Sequence, residues 1–146
     1  MLQRIQTLFL ILAVLALGAL AVSPFLSLAQ PLEASVFFRD GIFDIHDHIL
    51  FMVLFSLALL LALISIFTYR NRPLQLKLNS WSRWAVLLGY ASLFLWLFLR
   101  EKEALAEGFQ PGLGLILPPL FWILSLFASR NIKKDENLVK SMDRLR

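Results

Sequence analysis

The chemically richest stretch of this 146-residue chain is Asp44-Ile45-His46-Asp47-His48, with two imidazoles and two carboxylates in five positions. Imidazole nitrogens and carboxylate oxygens are ligands that zinc, manganese and iron take from proteins. Histidines two positions apart lie on opposite sides of a helix, so His46 and His48 could share a metal only from an extended segment or a turn. Asp44, His46 and His48 are therefore weak metal candidates.

A simpler interpretation makes the same stretch the start of a helix, and we favour it. Asp44 or Asp47 can cap a following helix by accepting its first free N–H groups, while the histidines lie at a wet interface. A pH-sensitive histidine contact is a third interpretation. Haem is disfavoured, because the chain has only two histidines and Met52 lies one turn beyond His48 on the same helix face. We predict no metal and no cofactor.

Four apolar blocks must position this stretch, and they predict the fold class. The blocks contain no Asp, Glu, Lys or Arg and cover residues 7–26, 49–69, 84–99 and 113–128. A helix rising about 1.5 Å per residue crosses a hydrocarbon core about 30 Å thick with such a block. The sequence predicts an all-α membrane protein with four transmembrane helices in an up-down bundle. We expect the first block to be a retained helix, because it is longer than a signal-peptide core.

The charges between the blocks predict the orientation. Eleven of the 14 Lys and Arg residues lie in the N-terminus, the second loop and the C-terminal tail, whereas seven of the 10 acids lie in the first and third loops. The positive-inside rule then places both termini in the cytoplasm. In a bacterial cell this describes a multi-pass protein of the inner (cytoplasmic) membrane.

The loops carry their own local signals. Asp40-Gly41 between the β-prone runs 35–39 and 42–45 predicts a small periplasmic β-hairpin in loop 1. The basic second loop is expected to end at Ser80 or Ser82 as the cap of the third helix. Pro118-Pro119 predicts a kink inside the fourth helix, because a proline removes a backbone hydrogen bond there.

Small residues at helical spacing predict how the helices pack. Such stripes let two backbones approach closely in lipid, where apolar burial gives no driving force between helices. They occur in the second and third blocks, at Ala58, Ala62 and Ser65, and at Ala85, Gly89 and Ser92.

The tail divides the chain into a transmembrane domain, 1–131, and a cytoplasmic part, 132–146. Apolar residues recur in the tail at helical spacing, which predicts a short amphipathic helix on the cytoplasmic surface. That helix either anchors the chain on anionic lipid or docks a partner subunit. The predicted partner-binding residues are Leu138, Val139, Met142, Arg144 and Leu145.

Both ends of the chain resemble a known family. The segments Met1–Thr7 and Ile132–Arg146, with the closing Asp-Arg-Leu-Arg, are similar to the family called domain of unknown function 4293, and the likeness extends over the length, the four spans and the basic middle loop. The resemblance implies a small four-helix inner-membrane protein typical of Bacteroidota. It implies no activity, cofactor or catalytic residue.

Function is only weakly determined by these patterns. The chain has no Cys, no phosphate loop, no HExxH and no Ser-His-Asp order, and no ionisable side chain lies within a predicted span. We therefore expect a non-enzymatic accessory or scaffold subunit of an inner-membrane complex. Its partners would be membrane lipids and other subunits or further copies of itself, with no nucleic acid. The alternative is a small-molecule or lipid carrier whose Pro118-Pro119 kink and Gly112-x-Gly114 open a cavity between helices.

Overall fold

The computed structural model describes residues 2–31, 35, 37–101 and 108–143, and these are mostly helical. Within them, four helices carry the fold: α1 (Leu2–Gly18), α2 (Ile49–Phe67), α3 (Arg72–Arg100) and α4 (Leu117–Asp143). Short 3₁₀ segments follow α1 at Ala19–Val22 and precede α4 at Leu113–Leu115. All four helices are long and apolar enough to cross a membrane, so the chain is a multi-pass membrane protein.

The helices form a ring in which neighbours run in opposite directions. Each helix packs against the next, and α4 closes the ring through its extensive contact with α1. At one end, Gln6 near the start of α1 donates to Asp135 near the end of α4 (2.7 Å), and Arg72 at the start of α3 pairs with the same carboxylate (3.7 Å). We call this the basic end, because Arg70, Lys133 and Lys134 are close by in the chain.

A small sheet closes the other end, which we call the sheet end. Its strands are β1 (Leu26–Ser27), β2 (Ile42–Phe43) and β3 (Gln110–Pro111), in the antiparallel order β2-β1-β3. It therefore joins the connection between α1 and α2 to the segment that enters α4.

The hairpin predicted within loop 1 is wrong in its pairing. Ile42–Phe43 pairs with Leu26–Ser27 rather than with residues 35–39. The N–H groups of Phe37 and Phe38 bond instead to Ser35 Oγ (3.2 and 2.8 Å), so they are not available for a ladder. The turn at Gly41 does form, with φ +79°, a conformation that favours glycine.

The helix boundaries differ from the predicted ones in α3. Asn71 caps α3 by accepting the N–H of Leu74 (3.2 Å), so the caps predicted at Ser80 or Ser82 are wrong. The first three turns of α3 are too polar to be recognised as a span from composition. They are helical because their polar side chains bond to neighbouring helices within the bundle.

The predicted kink in α4 is also wrong. Pro118 and Pro119 lie in the first turn of α4, where a fixed φ suits the helix and no N–H is needed. The helix then continues without a break past residue 131 to Asp143, so the expected tail helix is the last part of α4. Arg144 to Arg146 lie outside the described residues.

Phenylalanines fill the sheet end of the interior, and small residues fill the helix contacts. The ring of Phe25 lies 5.7 Å from that of Phe43 and 5.9 Å from that of Phe55. Five of the six residues of the predicted small-residue stripes are buried, namely Ala58, Ala62, Ser65, Ala85 and Gly89. Ser92 is half-buried and donates to the Gly89 carbonyl of its own helix. A Cβ on Gly89 would lie 3.2 Å from the Phe55 ring, which shows how closely α2 and α3 approach.

Candidate functional site

A cluster of polar side chains lies between α3 and α4, and we call it the arginine cluster: Asn79, Arg83, Ser125 and Ser129. Fully buried Asn79 donates through Nδ2 to the Ser125 carbonyl (3.0 Å) and to Ser129 Oγ (2.8 Å). Ser125 Oγ donates back to Asn79 Oδ1 (2.6 Å). Arg83 Nη1 donates to Ser129 Oγ (2.7 Å) and to Ser125 Oγ (3.2 Å).

Helical spacing builds this cluster. Asn79 and Arg83 are four residues apart on α3, and Ser125 and Ser129 are four apart on α4, so each pair occupies one face of its helix. Where the two faces meet, Asn79 Nδ2 and Arg83 Nη1 each find serine acceptors. The arrangement fastens α3 to α4 by side-chain hydrogen bonds, which are a recognised source of helix association in membranes.

The cluster lies where the apolar runs of α3 and α4 end towards the basic end. Arg83 directly precedes the apolar run 84–99, and Ser129 directly follows the run 113–128. Ser82, the residue before Arg83, donates to the carbonyl of Ala58 (2.7 Å), so α2 packs beside the cluster. An arginine held between two spanning helices at the edge of their apolar runs is a functional candidate.

The Arg83 charge has only neutral partners among the described residues. No Asp or Glu oxygen of that part of the chain lies within 4.0 Å of its guanidinium, and the ion pair found there joins Arg72 to Asp135. Serine oxygens satisfy Nη1 but supply no negative charge. The Arg83 side chain is half-buried rather than enclosed.

Arg83 also borders a groove on the outer surface of α3 and α4. A pocket of about 260 Å³ is bordered by Arg83, Trp84, Leu87 and Trp122. Leu87 and Trp122 also border a second pocket of about 380 Å³, whose remaining lining residues are Val86, Tyr90, Pro118, Pro119 and Ile123. The two pockets share a wall, so together they form one groove, apolar towards the sheet end and cationic at Arg83. We call it the α3–α4 groove.

Gly112 and Gly114 do not open a cavity, contrary to the expectation for a carrier. The Gly112 N–H donates to the Phe25 carbonyl (2.9 Å) and the Gly114 N–H to the Pro24 carbonyl (2.9 Å). A Cβ on either glycine would collide with the Pro24 carbonyl oxygen, at 2.6 Å for Gly114. The glycines therefore bring two backbones together and close the sheet end.

The histidine motif at the start of α2 forms a turn and a cap. His48 is the N-cap, and its Nδ1 accepts the N–H of Leu50 (3.1 Å), so the cap predicted at Asp44 or Asp47 is wrong. Asp44 Oδ1 accepts the N–H of His46 (2.6 Å), and Asp47 Oδ2 accepts that of Asp44 (2.6 Å). The carboxylates thus shape the turn that precedes the helix.

No metal site is apparent in this motif. Over the described residues, no three His, Asp or Glu side chains lie together in a way that could hold an ion. His46 Nε2 lies 3.2 Å from the Ala21 carbonyl, whereas the His48 ring packs 4.8 Å from that of Trp96. The two imidazoles have different neighbours. Glu33, a possible further ligand, lies outside the described residues.

The carboxyl group of Asp47, in this motif, has a raised pKa. Burial raises the pKa of Asp47 from 3.8 to about 6, and the hydrogen bond from the Asp44 N–H opposes the shift. Desolvation disfavours the charged carboxylate. The turn therefore contains a group that changes charge near neutral pH.

The structure describes only part of the predicted partner-binding stripe. Leu138 lies on α4 and is 47% exposed. Val139 and Met142 fall within α4, but their side chains are outside what the structure describes, as are Leu145 and Arg144 altogether. The stripe remains a prediction.

Sequence reasoning missed the arginine cluster, although a signal was present. Asn79 and Arg83 fall in the stretch before residue 84 that the charge pattern predicts as the second loop. The paired i, i+4 spacing of polar residues on α3 and α4 was the available clue. It is specific only once the two helices are known to be neighbours.

Comparison with known proteins gives one match. The sequence profile of a family described as "Domain of unknown function (DUF4293)" matches residues 2–145, which is nearly the whole chain. No curated protein and no solved structure matches.

Proposed function

The chain belongs to the DUF4293 family, and from that premise we propose that it is a non-enzymatic accessory or scaffold subunit of a bacterial inner-membrane complex. One observation carries the proposal. Among the described residues, every buried side-chain nitrogen and oxygen has a hydrogen-bond partner. The interior is thus occupied by helix-to-helix bonds and phenylalanine rings, which favours a protein that acts through its surface.

The orientation belongs to the same proposal. The basic end, with Arg70, Arg72, Lys133 and Lys134, faces the cytoplasm, and the sheet end faces the periplasm. Single cysteines in this Cys-free chain test it with an impermeant thiol reagent in intact cells. A cysteine at Gln30, exposed near the sheet, should react, and one at Lys77, exposed on α3, should react only after lysis. The reverse pattern would invert the topology.

The C-terminal part of α4 is the proposed docking element. Its predicted stripe has anchors at i, i+4 and i+7, the spacing by which a groove recognises a helix. Exposed Leu138 begins the stripe, and basic residues flank it.

Deleting 137–146 tests docking. Asp135, which bonds to Gln6, stays in place, so four inserted helices should remain and the protein should still purify as a folded monomeric unit. We expect the deletion to remove the proteins that co-purify in a gentle detergent, as measured by quantitative mass spectrometry. Partners retained at wild-type stoichiometry would contradict docking through the tail.

A charge-reversed tail separates docking from simple anchoring. In the variant Lys140→Glu, Arg146→Glu, which keeps the predicted partner-binding Arg144, a lipid-bound tail loses about 1 kcal/mol per basic residue, which weakens binding of a tail peptide to anionic vesicles. A partner protein whose groove binds the apolar anchors should still co-purify with this variant. Loss of vesicle binding together with an unchanged partner supports docking, whereas loss of vesicle binding in a protein with no partner identifies an anchor.

A further inference from the structure

The α3–α4 groove has a combination of features that the subunit proposal does not use. It joins a half-buried arginine, at the edge of the apolar runs of α3 and α4, to an apolar trough that extends towards the sheet end. The groove runs along α3 from Ser80 to Tyr90, which corresponds to roughly 15 Å of helix. A ligand that fits it has an anionic group at one end and a hydrocarbon chain at the other.

The trough walls contain almost no free polar group. The Tyr90 hydroxyl donates to the Leu115 carbonyl (2.8 Å), so only its ring is offered to a ligand. Pro118 and Pro119 lack N–H groups, so the first turn of α4 does not present at these positions the free donors that a helix start normally has. Hydrocarbon can therefore lie along the walls without desolvating a donor.

The cationic end lacks a counter-ion. The described acids are farther than 4.0 Å from Arg83, and serine oxygens occupy only Nη1. A guanidinium has five N–H donors in a planar fork that matches phosphate oxygens. Among the described residues, none accepts a hydrogen bond from Arg83 Nε or Nη2, so these donors are available to a ligand.

Depth and exposure identify the source of the ligand. The groove opens sideways, since Trp84 (60% exposed) and Leu87 (43% exposed) lie on the outer surface of the bundle. In a membrane that surface meets lipid rather than water. An amphiphile already in the bilayer reaches Arg83 directly, and basic pockets between transmembrane helices bind anionic head groups.

We propose that the α3–α4 groove binds one anionic phospholipid, with its phosphate on Arg83 and an acyl chain along Leu87, Trp122 and Pro118-Pro119. This site is separate from the docking proposal, because it lies in residues that the tail deletion keeps. A zwitterionic lipid should bind less well, because no described carboxylate near Arg83 can receive its cationic group.

Native mass spectrometry of the delipidated full chain tests the site with phosphatidylglycerol and phosphatidylethanolamine of the same acyl composition. We expect one phosphatidylglycerol to bind in preference to phosphatidylethanolamine. The variant Arg83→Gln should reduce phosphatidylglycerol affinity about tenfold, the effect of losing a charge-assisted hydrogen bond. The control Arg39→Gln removes an exposed arginine at the sheet end, away from the groove, and should leave that affinity unchanged.

A second variant keeps the proposal testable if Arg83→Gln does not fold. Leu87→Trp fills the shared wall of the groove from an exposed position, keeps the arginine cluster intact and should also weaken binding about tenfold by overpacking the trough. Equal binding of the two lipids by wild type, or wild-type affinity in both variants, would overturn the proposal. Displacement of the lipid by millimolar inorganic phosphate would identify a free anion as the occupant and overturn it as well.

Discussion

Replacing Gly114 by alanine tests whether close backbone contact holds the sheet end together. Gly114 lies in the 3₁₀ segment before α4, and its N–H donates to the Pro24 carbonyl (2.9 Å). The new Cβ would lie 2.6 Å from the Pro24 oxygen and 2.9 Å from the Phe25 nitrogen, closer than van der Waals contact allows. Both obstacles are backbone atoms, so no side-chain rotation can relieve the collision.

The expected loss of stability follows from the backbone contacts that the new methyl group forces apart. Moving the two segments apart weakens the bond from Gly114 to Pro24 and the bond from Gly112 to Phe25, each worth about 1 kcal/mol. Forcing a methyl group into a packed site adds about 1–3 kcal/mol. We therefore expect Gly114→Ala to lower the free energy of unfolding by roughly 3–5 kcal/mol.

Unfolding in mixed detergent and sodium dodecyl sulfate micelles, followed by tryptophan fluorescence, gives this free energy. The matched control is Gly18→Ala. Nothing lies within 4 Å of the Cβ position at Gly18, and its backbone is helical, so alanine there should stabilise the protein by up to about 1 kcal/mol.

The result that would refute the reasoning is a small difference between the two alanines. If Gly114→Ala costs less than about 1 kcal/mol, the approach of Pro24 to the 3₁₀ segment is looser than the structure indicates. The sheet end would then not depend on glycine at this position.

Further predictions concern polar groups. Asn79→Ala should lower the free energy of unfolding by about 2 kcal/mol, since three interhelical hydrogen bonds are worth about 0.6 kcal/mol each in a membrane. The control Ser92→Ala, which removes a bond to its own helix, should change that free energy by less than about 0.5 kcal/mol. Equal effects of the two variants would contradict the interhelical role. Because burial raises the pKa of Asp47 from 3.8 to about 6, the fold favours the protonated carboxyl. The contribution of Asp47 to stability should be greatest below pH 3.8 and decline as the pH rises through 6. Asp47→Asn should remove that decline in thermal unfolding scans. His48→Ala should lower the free energy of unfolding by about 1 kcal/mol by removing the cap of α2, and His48→Asn should restore it. Metal analysis of the purified wild type and of the His46→Gln, His48→Gln variant should give the same low metal content. One equivalent of metal lost in that variant would establish a metal site.

The long-range features that sequence analysis could predict are those encoded by composition. Four apolar runs predict four helices, because only a helix satisfies its backbone in lipid, and small residues such as Ala58 and Gly89 predict close helix contacts. The basic stretch before residue 84 misled the assignment of α3. Its side chains are polar but bond within the bundle, and composition alone does not distinguish a loop from a helix whose polar face is buried.

Pairings between distant segments could not be predicted. Ile42–Phe43 has the local pattern of a hairpin strand, but its partner is chosen by the end of α1 and by the Ser35 hydroxyl, which occupies the competing N–H groups. The arginine cluster likewise depends on α3 and α4 being neighbours. The His48 cap was missed because a neutral imidazole is a less common cap than the aspartates beside it.

The closure of the ring by α1 and α4 has a consequence for biosynthesis. The ribosome makes α1 first and its most extensive partner last, after roughly 100 residues, which takes several seconds at about 5–20 residues per second. During that interval Phe9 and Leu10 of α1 are without Phe127 and Ala128 of α4, and β1 is without β3. A nascent chain can complete the α2–α3 pair as soon as α3 emerges. Release of α4 from the translocon is therefore the step that turns three inserted helices into a closed bundle, and a chain stalled before it would leave both α1 and one edge of β1 uncovered.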